Sequence, residues 1–355
     1  AISELGCNSS WTRSPDSSRA PTDAKACKRF SKSVGQALVP TDVMAPWGVM
    51  LPNFNPFGLE PWPYLDVVRA VEDHNFDAGW VGDHLAFHPP VIEATAALAA
   101  AAAVTDRMKL GFAVLLGAMR EPVWLAKTLT SIDQLAPGRL IVGMGAGGEH
   151  PPEWRAAGAE LAGRGARLDE LLSILPDLLT GHAVNHNGPH LAVETPALNP
   201  SMSAAPPTVI GGRSDAALRR AARFADGWLG VWVSSEGFAR SIDRLSEFAE
   251  QAGRARPEPM MLAFAAIGDD QAGCARDAAQ LYRGQYNLPY EQVERWTLTG
   301  SVAQVADRLA VVGALQLQIE HLPDPAARPN PLDVSCVLIR GGGGALRAPR
   351  GTQAT

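Results

Sequence analysis

The chain has 355 residues, and 46% of them are hydrophobic, which suffices for the core of one large α/β barrel or of about two smaller domains. Its 31 basic and 37 acidic residues give a net charge of −6 without a basic block, which argues against nucleic-acid binding. The four cysteines form no C-x-x-C pair, so we expect no metal site and no disulfide framework, and a cytoplasmic location. No signal peptide is visible, and the most apolar run, residues 94–104, is too short to span a membrane.

The two ends of the chain differ in composition from its middle. Residues 1–45 are rich in Ser, Thr, Pro and charge and have no apolar period, so we predict a disordered extension there. Residues 323–355 contain several prolines and a run of four glycines, and they are predicted to form an irregular tail with one short apolar piece, "VSCVLI". Residues 46–322 remain as the folded domain.

Within residues 46–322, short apolar runs alternate with segments of helical period. Because nearly every predicted strand is a continuous apolar run, both faces of the sheet are expected to be buried, as in a parallel sheet. Eight such units over about 275 residues predict a (β/α)8 TIM barrel rather than a doubly wound sheet. The predicted strands are 47–52, 79–83, 108–116, 139–144, 207–212, 227–232, 260–267 and 315–322. The predicted helices are 64–75, 92–104, 123–135, 167–179, 215–225, 236–251, 275–286 and 302–312.

The stretch "LIVGMGAGGEH", residues 140–150, fits the dinucleotide fingerprint G-x-G-x-x-G by its spacing. That fingerprint opens the first βαβ unit and leads directly into a helix, whereas this stretch follows the fourth strand and continues into two prolines. Asp169 lies about 20 residues further on, as the fingerprint requires, but within an amphipathic helix. We therefore favour a barrel strand whose exit loop lets a ligand approach the backbone closely.

Five segments, in this order, resemble the bacterial luciferase-like family of flavin- and deazaflavin-dependent oxidoreductases. The resemblance covers residues 46–322 and implies a (β/α)8 barrel that holds a cofactor ring at its C-terminal mouth. The implied cofactor is FMN or the deazaflavin coenzyme F-420. The segments are "WGVMLPNFNPFG", "FDAGWVGDHL", "MKLGFAVLLGAMREPVWLAKTLTSIDQLAPGRLIVGMGAGG", "RGARLDELL" and "IGGRSDAALRRAARFADGW".

The resemblance places two pairs of residues beside the cofactor ring. Asp83 and His84 end the second strand, and the histidine would donate to the reduced ring or act as acid and base, because imidazole titrates near neutrality. The alternative is that Asp83 binds a backbone group and His84 only packs. Ala113 and Val114 match the family's bulge after the third strand, where a non-prolyl cis peptide supports the ring. The alternative there is an ordinary trans strand.

Between the fifth strand and the next helix, the run Gly211-Gly212-Arg213-Ser214 is the candidate phosphate site. Ser214 is a good N-cap, and a helix N-terminus offers free N–H groups and the positive end of a dipole. Arg213 adds a forked donor. A plain turn before a capped helix is the alternative. The resemblance also brings the loop after strand four near the cofactor, through Gly145, Gly147 and Gly148.

Three further residues are candidates for the ligand pocket. Asn53 ends the first strand and is expected to contact the cofactor or the substrate. Trp228 and Trp232 lie near the end of the sixth strand and are expected to line the substrate pocket, although indole rings more often belong to a core. Arg164 and Arg167 match family positions and are interpreted as ion-pair or capping residues.

The cofactor preference depends on the loop after strand four. Luciferases that use FMN carry an Arg there for the phosphate, and the matching residue in this chain is Ala146. Some deazaflavin-dependent members have an acid near the position of Gly148, and here Glu149 lies one residue further along. We therefore favour coenzyme F-420 over FMN.

The predicted function is hydride transfer between coenzyme F-420 and a small organic substrate. One alternative is an FMN-dependent monooxygenase that uses reduced flavin and dioxygen, and another is a non-catalytic flavin-binding barrel. A barrel aldolase or isomerase is disfavoured, because Lys109 starts its strand and so lies at the wrong end of the barrel. The resemblance also implies a homodimer and a flavin or F-420 reductase that supplies the reduced cofactor.

Overall fold

The computed structural model describes residues 47–311 and 334–340, which form a curled sheet surrounded by helices. A separate hairpin pairs β5 (Val184–Asn187) with β6 (Ala192–Thr195). The strands of the main sheet are β1 (Trp47–Met50), β2 (Ala78–Val81), β3 (Lys109–Phe112), β4 (Leu140–Met144), β7 (Thr208–Gly211), β8 (Gly227–Val231), β9 (Glu258–Ile267), β10 (Thr297–Gly300) and β11 (Val334–Arg340). The helices are α1 (Tyr64–Asp73), α2 (Ala94–Ala102), α3 (Pro122–Leu135), α4 (Pro151–Ala156), α5 (Arg164–Leu179), α6 (Asp215–Phe224), α7 (Ser235–Gln251), α8 (Gln271–Tyr286) and α9 (Val302–Val311).

The main sheet closes into a ring. Parallel pairing runs from β1 through β2, β3, β4, β7 and β8 to β9. Strand β11 then pairs antiparallel with both β9 and β1, so that Val49 lies opposite Gly79 on one side and Val337 on the other. The α/β barrel class predicted from the alternating pattern is therefore confirmed.

The ring differs from the predicted one at its last position. The predicted eighth strand, 315–322, lies outside the described residues, as does the predicted N-terminal extension. The position between β9 and β1 is taken by β11, which contains the apolar piece "VSCVLI" of the predicted tail. This run of apolar and β-branched residues has high strand propensity. The short strand β10 was not predicted, and it pairs parallel with the C-terminal part of β9.

Small side chains let helix α2 pack closely against the sheet. Helix α2 is rich in alanine, and its Ala94, Ala97, Leu98 and Ala101 are fully buried. Alanine lets the helix axis approach the sheet closely and has the highest helix propensity. The apolar run that was too short for a membrane span is thus a buried core helix.

One carboxylate fixes the connection that leads into β3. Glu72, near the end of α1, accepts backbone N–H bonds from Asp106 at 3.2 Å, Arg107 at 2.8 Å and Met108 at 3.0 Å. Partial burial alone would raise the pKa of Glu72, but these three donors and the charge of Arg107 outweigh it and lower that pKa. The ionised form is therefore the one that holds the connection in place.

Replacing Glu72 with Gln is expected to lower the free energy of unfolding by about 1 kcal/mol near neutral pH, with solvent screening allowed for. Because the folded pKa is lowered, this stabilisation is present above the ordinary value of 4.5 and is lost as pH falls through the folded pKa. Urea unfolding at several pH values measures the effect. The exposed Glu247→Gln variant is the control, and an equal loss in both variants, or a loss that persists in acid, would contradict this role.

Candidate active site

A cavity of about 680 Å³ opens at the carboxyl ends of the parallel strands. Barrels of this kind hold their active sites at that end, and the volume suits a cofactor together with a small substrate. The described residues that line the cavity come from the ends of β1, β2, β3, β4, β7 and β8, from β9, and from helices α5, α6 and α8. The cavity therefore lies where the sequence predicts the site.

The floor of the cavity is built around the bulge after β3. The Ala113–Val114 peptide bond is cis, as the resemblance implies, and both residues line the cavity. Glycines of the neighbouring strands make room for the Val114 side chain. A Cβ atom added at Gly145 would lie 2.5 Å from Val114 Cγ2, and one added at Gly211 would lie 2.8 Å from Cγ1. These two glycines are therefore required by the bulge itself.

The other glycines in and after β4 are also explained by the local structure. A Cβ atom at Gly143 would lie 1.8 Å from the carbonyl oxygen of Phe112 in the adjacent strand. Gly147 and Gly148 have φ angles of 61° and 106°, which favour glycine. The chain turns there, and the short helix α4 then begins with two prolines. This stretch is thus a barrel strand end and its exit turn, not a dinucleotide fingerprint.

The candidate phosphate site faces the same cavity. Gly211, Gly212, Arg213 and Ser214 all line it, and the Ser214 hydroxyl caps α6 by accepting the backbone N–H of Ala217 at 3.3 Å. The Arg213 guanidinium is exposed and lies 5.7 Å from the centre of the Trp232 ring. Backbone N–H groups at a helix start and a nearby cation form an arrangement that binds phosphate.

Two further arginines line this end of the cavity. Arg164 begins α5, and its Nε donates to the carbonyl of Gly147 at 3.0 Å. Arg220 is buried, with its Nε donating to Asp169 Oδ1 at 2.5 Å and a terminal nitrogen donating to Gly165 O at 3.0 Å. Asp169 has the sequence position at which a dinucleotide fingerprint has its ribose-binding acid, but here it binds Arg220. Arg164, which the sequence indicates as an ion-pair or capping residue, lines the cavity. Arg220 was not predicted as a site residue, and its position on the apolar face of α6 was the available signal.

His84 is held by a carboxylate that sequence reasoning missed. Its Nδ1 lies 3.1 Å and 3.0 Å from the two carboxylate oxygens of Glu153, which is fully buried and also accepts the N–H of Leu85 at 3.1 Å. A carboxylate that accepts this contact makes Nδ1 the donor, and Nε2 is the ring nitrogen that does not contact Glu153. His84 lines the cavity and stacks on Phe87 at 3.7 Å. The signal for Glu153 was an acid in the first turn of a helix that starts with two prolines.

Asp83 borders the cavity, but its carboxylate is engaged in the structure. One oxygen accepts the N–H of Leu116 at 2.9 Å, and the other accepts from Arg120 at 2.9 Å. Arg120 also donates to Glu93 at 2.7 Å. Burial raises the pKa of Asp83, and the Arg120 guanidinium partly offsets that rise. The structure thus contains the backbone contact of the alternative interpretation, and the catalytic role of Asp83 stays a prediction.

Asn53 and Trp228 do not line the cavity, which corrects both predictions. Asn53 is fully buried, and its amide joins the end of β1 to the backbone of Gly82 and Ile92 at 2.8–3.2 Å. Trp228 is fully buried and stacks on Phe238 of α7 at 5.3 Å. Successive residues of a strand face opposite sides, so Trp228 points to the helix layer while its neighbour Leu229 points into the cavity.

Trp232 does line the cavity, just beyond the end of β8. Its φ angle of 52° is rare for a residue with a side chain and turns the chain at this point. The ring lies 5.1 Å from Tyr286 and 6.0 Å from Phe264. Its Nε1 is buried and has no hydrogen-bond partner among the described residues. A buried donor of this kind normally finds a partner, so it is available to a bound ligand.

Two other properties concern the described residues as a whole. They contain no group of three His, Cys, Asp or Glu side chains placed to hold a metal ion. Within the same residues, no helix has both the length and the apolar character needed to cross a membrane.

Comparisons with known proteins agree with this geometry. An uncharacterised protein of Mycobacterium tuberculosis is 34% identical over 168 residues, which is 47% of this chain and 58% of that protein. The F420-dependent glucose-6-phosphate dehydrogenase of Nakamurella multipartita is 26% identical over 298 residues, covering 74% of this chain and 86% of the relative. The oxygenating constituent of 3,6-diketocamphane monooxygenase from Pseudomonas putida, solved in complex with FMN, superposes with a TM-score of 0.63 at 18% identity, covering 77% and 90% of the two chains. The model of the luciferase-like monooxygenase family matches residues 60–298, and the chain belongs to that family, whose relatives named here are oxidoreductases.

Proposed function

We propose that this protein is an oxidoreductase that transfers a hydride between coenzyme F-420 and a small organic substrate. One observation carries the proposal. A single cavity joins an apolar floor at Val114, an imidazole held at one nitrogen by a buried carboxylate, and an arginine-lined end at the start of α6. A flat redox ring with a phosphorylated tail needs these three features side by side.

The residues present fit such a cofactor. Val114, Leu229 and Leu262 offer an apolar surface for a ring. Backbone N–H groups at the start of α6, from Arg213 onward, are the candidates for a phosphate, because the N–H of Gly212 donates to the carbonyl of Leu229 at 3.2 Å. When bound, the deazaflavin supplies a two-electron acceptor or donor, and the protein supplies binding, orientation and exclusion of water.

In this proposal, His84 handles the proton that accompanies the hydride. During oxidation of the substrate, the proton on its oxygen or nitrogen would pass to Nε2 of His84, and a bound deazaflavin would supply the two-electron acceptor. In the opposite direction, Nε2 returns the proton to the substrate. Glu153 keeps Nδ1 protonated and so keeps Nε2 as the exchanging atom.

Two observations support coenzyme F-420 over FMN. Ala146 lines the cavity where FMN-dependent luciferases have a phosphate-binding arginine. The relative that covers 74% of this chain is named for its dependence on F420. The second candidate is an FMN-dependent monooxygenase that uses reduced flavin and dioxygen, supported by the FMN-bound structure of the same fold. A non-catalytic binder is the third. From the family and the composition, we also propose a cytoplasmic homodimer supplied by a flavin or F-420 reductase.

Titration of the purified protein with oxidised F-420 and, separately, with FMN tests the proposal. We expect F-420 to bind at least about tenfold more tightly, a difference of about 1.4 kcal/mol. Turnover of F-420 with a substrate panel under nitrogen then separates an enzyme from a non-catalytic binder. Tighter binding of FMN would replace the proposal with the monooxygenase, and binding of neither cofactor would overturn both.

Replacing Arg213 with Ala is expected to weaken F-420 binding about tenfold, because a charge-assisted contact to the phosphate is lost. Within residues 47–311 and 334–340, the exposed Arg213 side chain forms no ion pair, so we expect the fold to be unaffected. Fluorescence titration at low ionic strength measures the change. Arg219→Ala is the matched control: this arginine lies on α6, the helix that follows Arg213, over the Phe248 ring outside the cavity. Equal affinities for both variants would argue against a phosphate at Arg213.

A further inference from the structure

The arginines and the aromatic side chains of the cavity lining occupy neighbouring arcs of the barrel, which meet where Arg213 lies 5.7 Å from the centre of the Trp232 ring. Among the described lining residues, the cationic side chains are Arg164, Arg213 and Arg220. They follow β4 and β7, which are neighbours in the ring. The aromatic lining residues come from the loop after β1, from the end of β8 and from α8, which follows β9. Because β8, β9, β11, β1 and β2 are contiguous in the ring, the aromatic groups share the remaining arc of the barrel.

The aromatic groups form one connected surface, which we call the aromatic wall: Phe54, His84, Phe87, Tyr286 and Trp232. Ring centres are 6.0 Å apart for Phe54 and His84, 3.7 Å for His84 and Phe87, 6.0 Å for Phe87 and Tyr286, and 5.1 Å for Tyr286 and Trp232. All but Phe87 line the cavity directly. Such a wall binds a ring by stacking and edge-to-face contacts.

The polar atoms of the aromatic wall suit an uncharged ligand. His84 offers one ring nitrogen, and Trp232 offers its unpartnered Nε1. Among the described lining residues, the one cation that reaches this arc is Arg213, beside Trp232 at its edge, and the proposed function assigns that arginine to the phosphate of the cofactor. The one carboxylate there, Asp83, is paired with Arg120. A phosphate or carboxylate on the substrate would therefore be buried without a counter-charge, which is costly.

We infer that the substrate is an uncharged molecule that carries an aromatic or alicyclic ring, and that it is not a sugar phosphate. This inference rests on the proposed function, in which the arginine-lined end is filled by the tail of the cofactor. The substrate ring lies against the aromatic wall, with its reacting oxygen or nitrogen toward His84. Selectivity against anions follows, because the three arginines are occupied.

Binding of 1-naphthol and 1-naphthyl phosphate tests the inference, since the two probes share a ring and differ in charge. Equilibrium dialysis against the F-420-saturated protein is expected to give at least about tenfold tighter binding of 1-naphthol. Equal or tighter binding of 1-naphthyl phosphate, or of glucose 6-phosphate, would overturn the inference while leaving the cofactor assignment intact. If neither F-420 nor FMN binds, the same comparison is made with excess inorganic phosphate at the arginines. A preserved preference for 1-naphthol then supports the inference although the proposed function has failed.

Replacing Tyr286 with Ala locates the binding surface. The variant is expected to bind 1-naphthol about five- to tenfold more weakly, because an aromatic contact to the probe is lost. Trp124→Ala is the control, since Trp124 is 75% exposed on α3 and lies outside the cavity. Circular dichroism verifies folding, and Phe57→Leu, another lining position, serves if Tyr286→Ala does not fold. An equal affinity for 1-naphthol in the control variant and the cavity variant would overturn the placement of the substrate ring against the aromatic wall.

Discussion

Replacing His84 with Ala is expected to lower kcat for hydride transfer about 100- to 10,000-fold, the usual contribution of a positioned acid–base group. The reason is geometric. His84 lines the cavity, its Nδ1 is bound to Glu153 at 3.0 Å, and Nε2 is left to exchange a proton with the substrate. The affinity for F-420 should change little, because the proposed phosphate site, at the start of α6, does not include His84. Steady-state turnover followed by F-420 absorbance, together with a separate binding titration, measures both quantities.

Replacing Glu153 tests whether this carboxylate acts by positioning His84. Glu153→Gln is expected to reduce kcat by about tenfold and to alter its pH profile, whereas loss of packing alone would leave the profile unchanged. His182→Ala is the control, because His182 is exposed and pairs with Asp177 far from the cavity. A His84→Ala enzyme with an unchanged kcat would mean that His84 only packs, as in the alternative reading of the sequence.

Replacing Gly143 with Ala is expected to destabilise the fold by about 3 kcal/mol or more, at the upper end of what overpacking produces. The added Cβ would lie 1.8 Å from the Phe112 carbonyl oxygen, which belongs to the backbone of the neighbouring strand. A flexible side chain could move away, but this carbonyl is part of a strand packed between β2 and β4. Urea unfolding, with the midpoint and slope compared between the variants, measures the loss.

Gly138→Ala separates this collision from the general cost of losing a glycine. Gly138 has a φ angle of 67°, and an added Cβ would meet no atom within 4 Å. We expect a loss of about 1–2 kcal/mol there, from the left-handed backbone alone. If Gly143→Ala were no more damaging than Gly138→Ala, the close approach of β3 and β4 would have to be relaxed in solution.

The barrel could be predicted from sequence because its strands are continuous apolar runs separated by amphipathic helices. Such runs need helices on both faces, and this requirement leaves few architectures. Strand β10 was missed because its residues, Thr297–Gly300, are half polar and too few to form a continuous apolar run. The pairing of β11 with β1 joins residues that are far apart in the chain, and no local pattern encodes such a partner.

The position of the candidate site could be predicted from the sequence, but the hydrogen-bond partners of its residues could not. Val114, the candidate phosphate site and Trp232 line the cavity, as the motifs implied. Trp228 was misplaced because period-two alternation tells which residues share a face but not which face is inside. Asp83 and His84 received their roles from partners far along the chain, Arg120 and Glu153. No local pattern indicates these two partners, and the catalytic roles of both residues stay predictions.

The strand that closes the ring is also the last described element to be synthesised. Until β11 emerges from the ribosome, β1 has one open edge, and an unpaired edge strand is a template for association with other chains. Folding that proceeds from the N-terminus would therefore leave a nearly complete barrel with a gap between β1 and β9. Phe54 and Tyr286 belong to the elements on either side of this gap, so the newly made chain acquires its ligand site only when translation of the barrel ends.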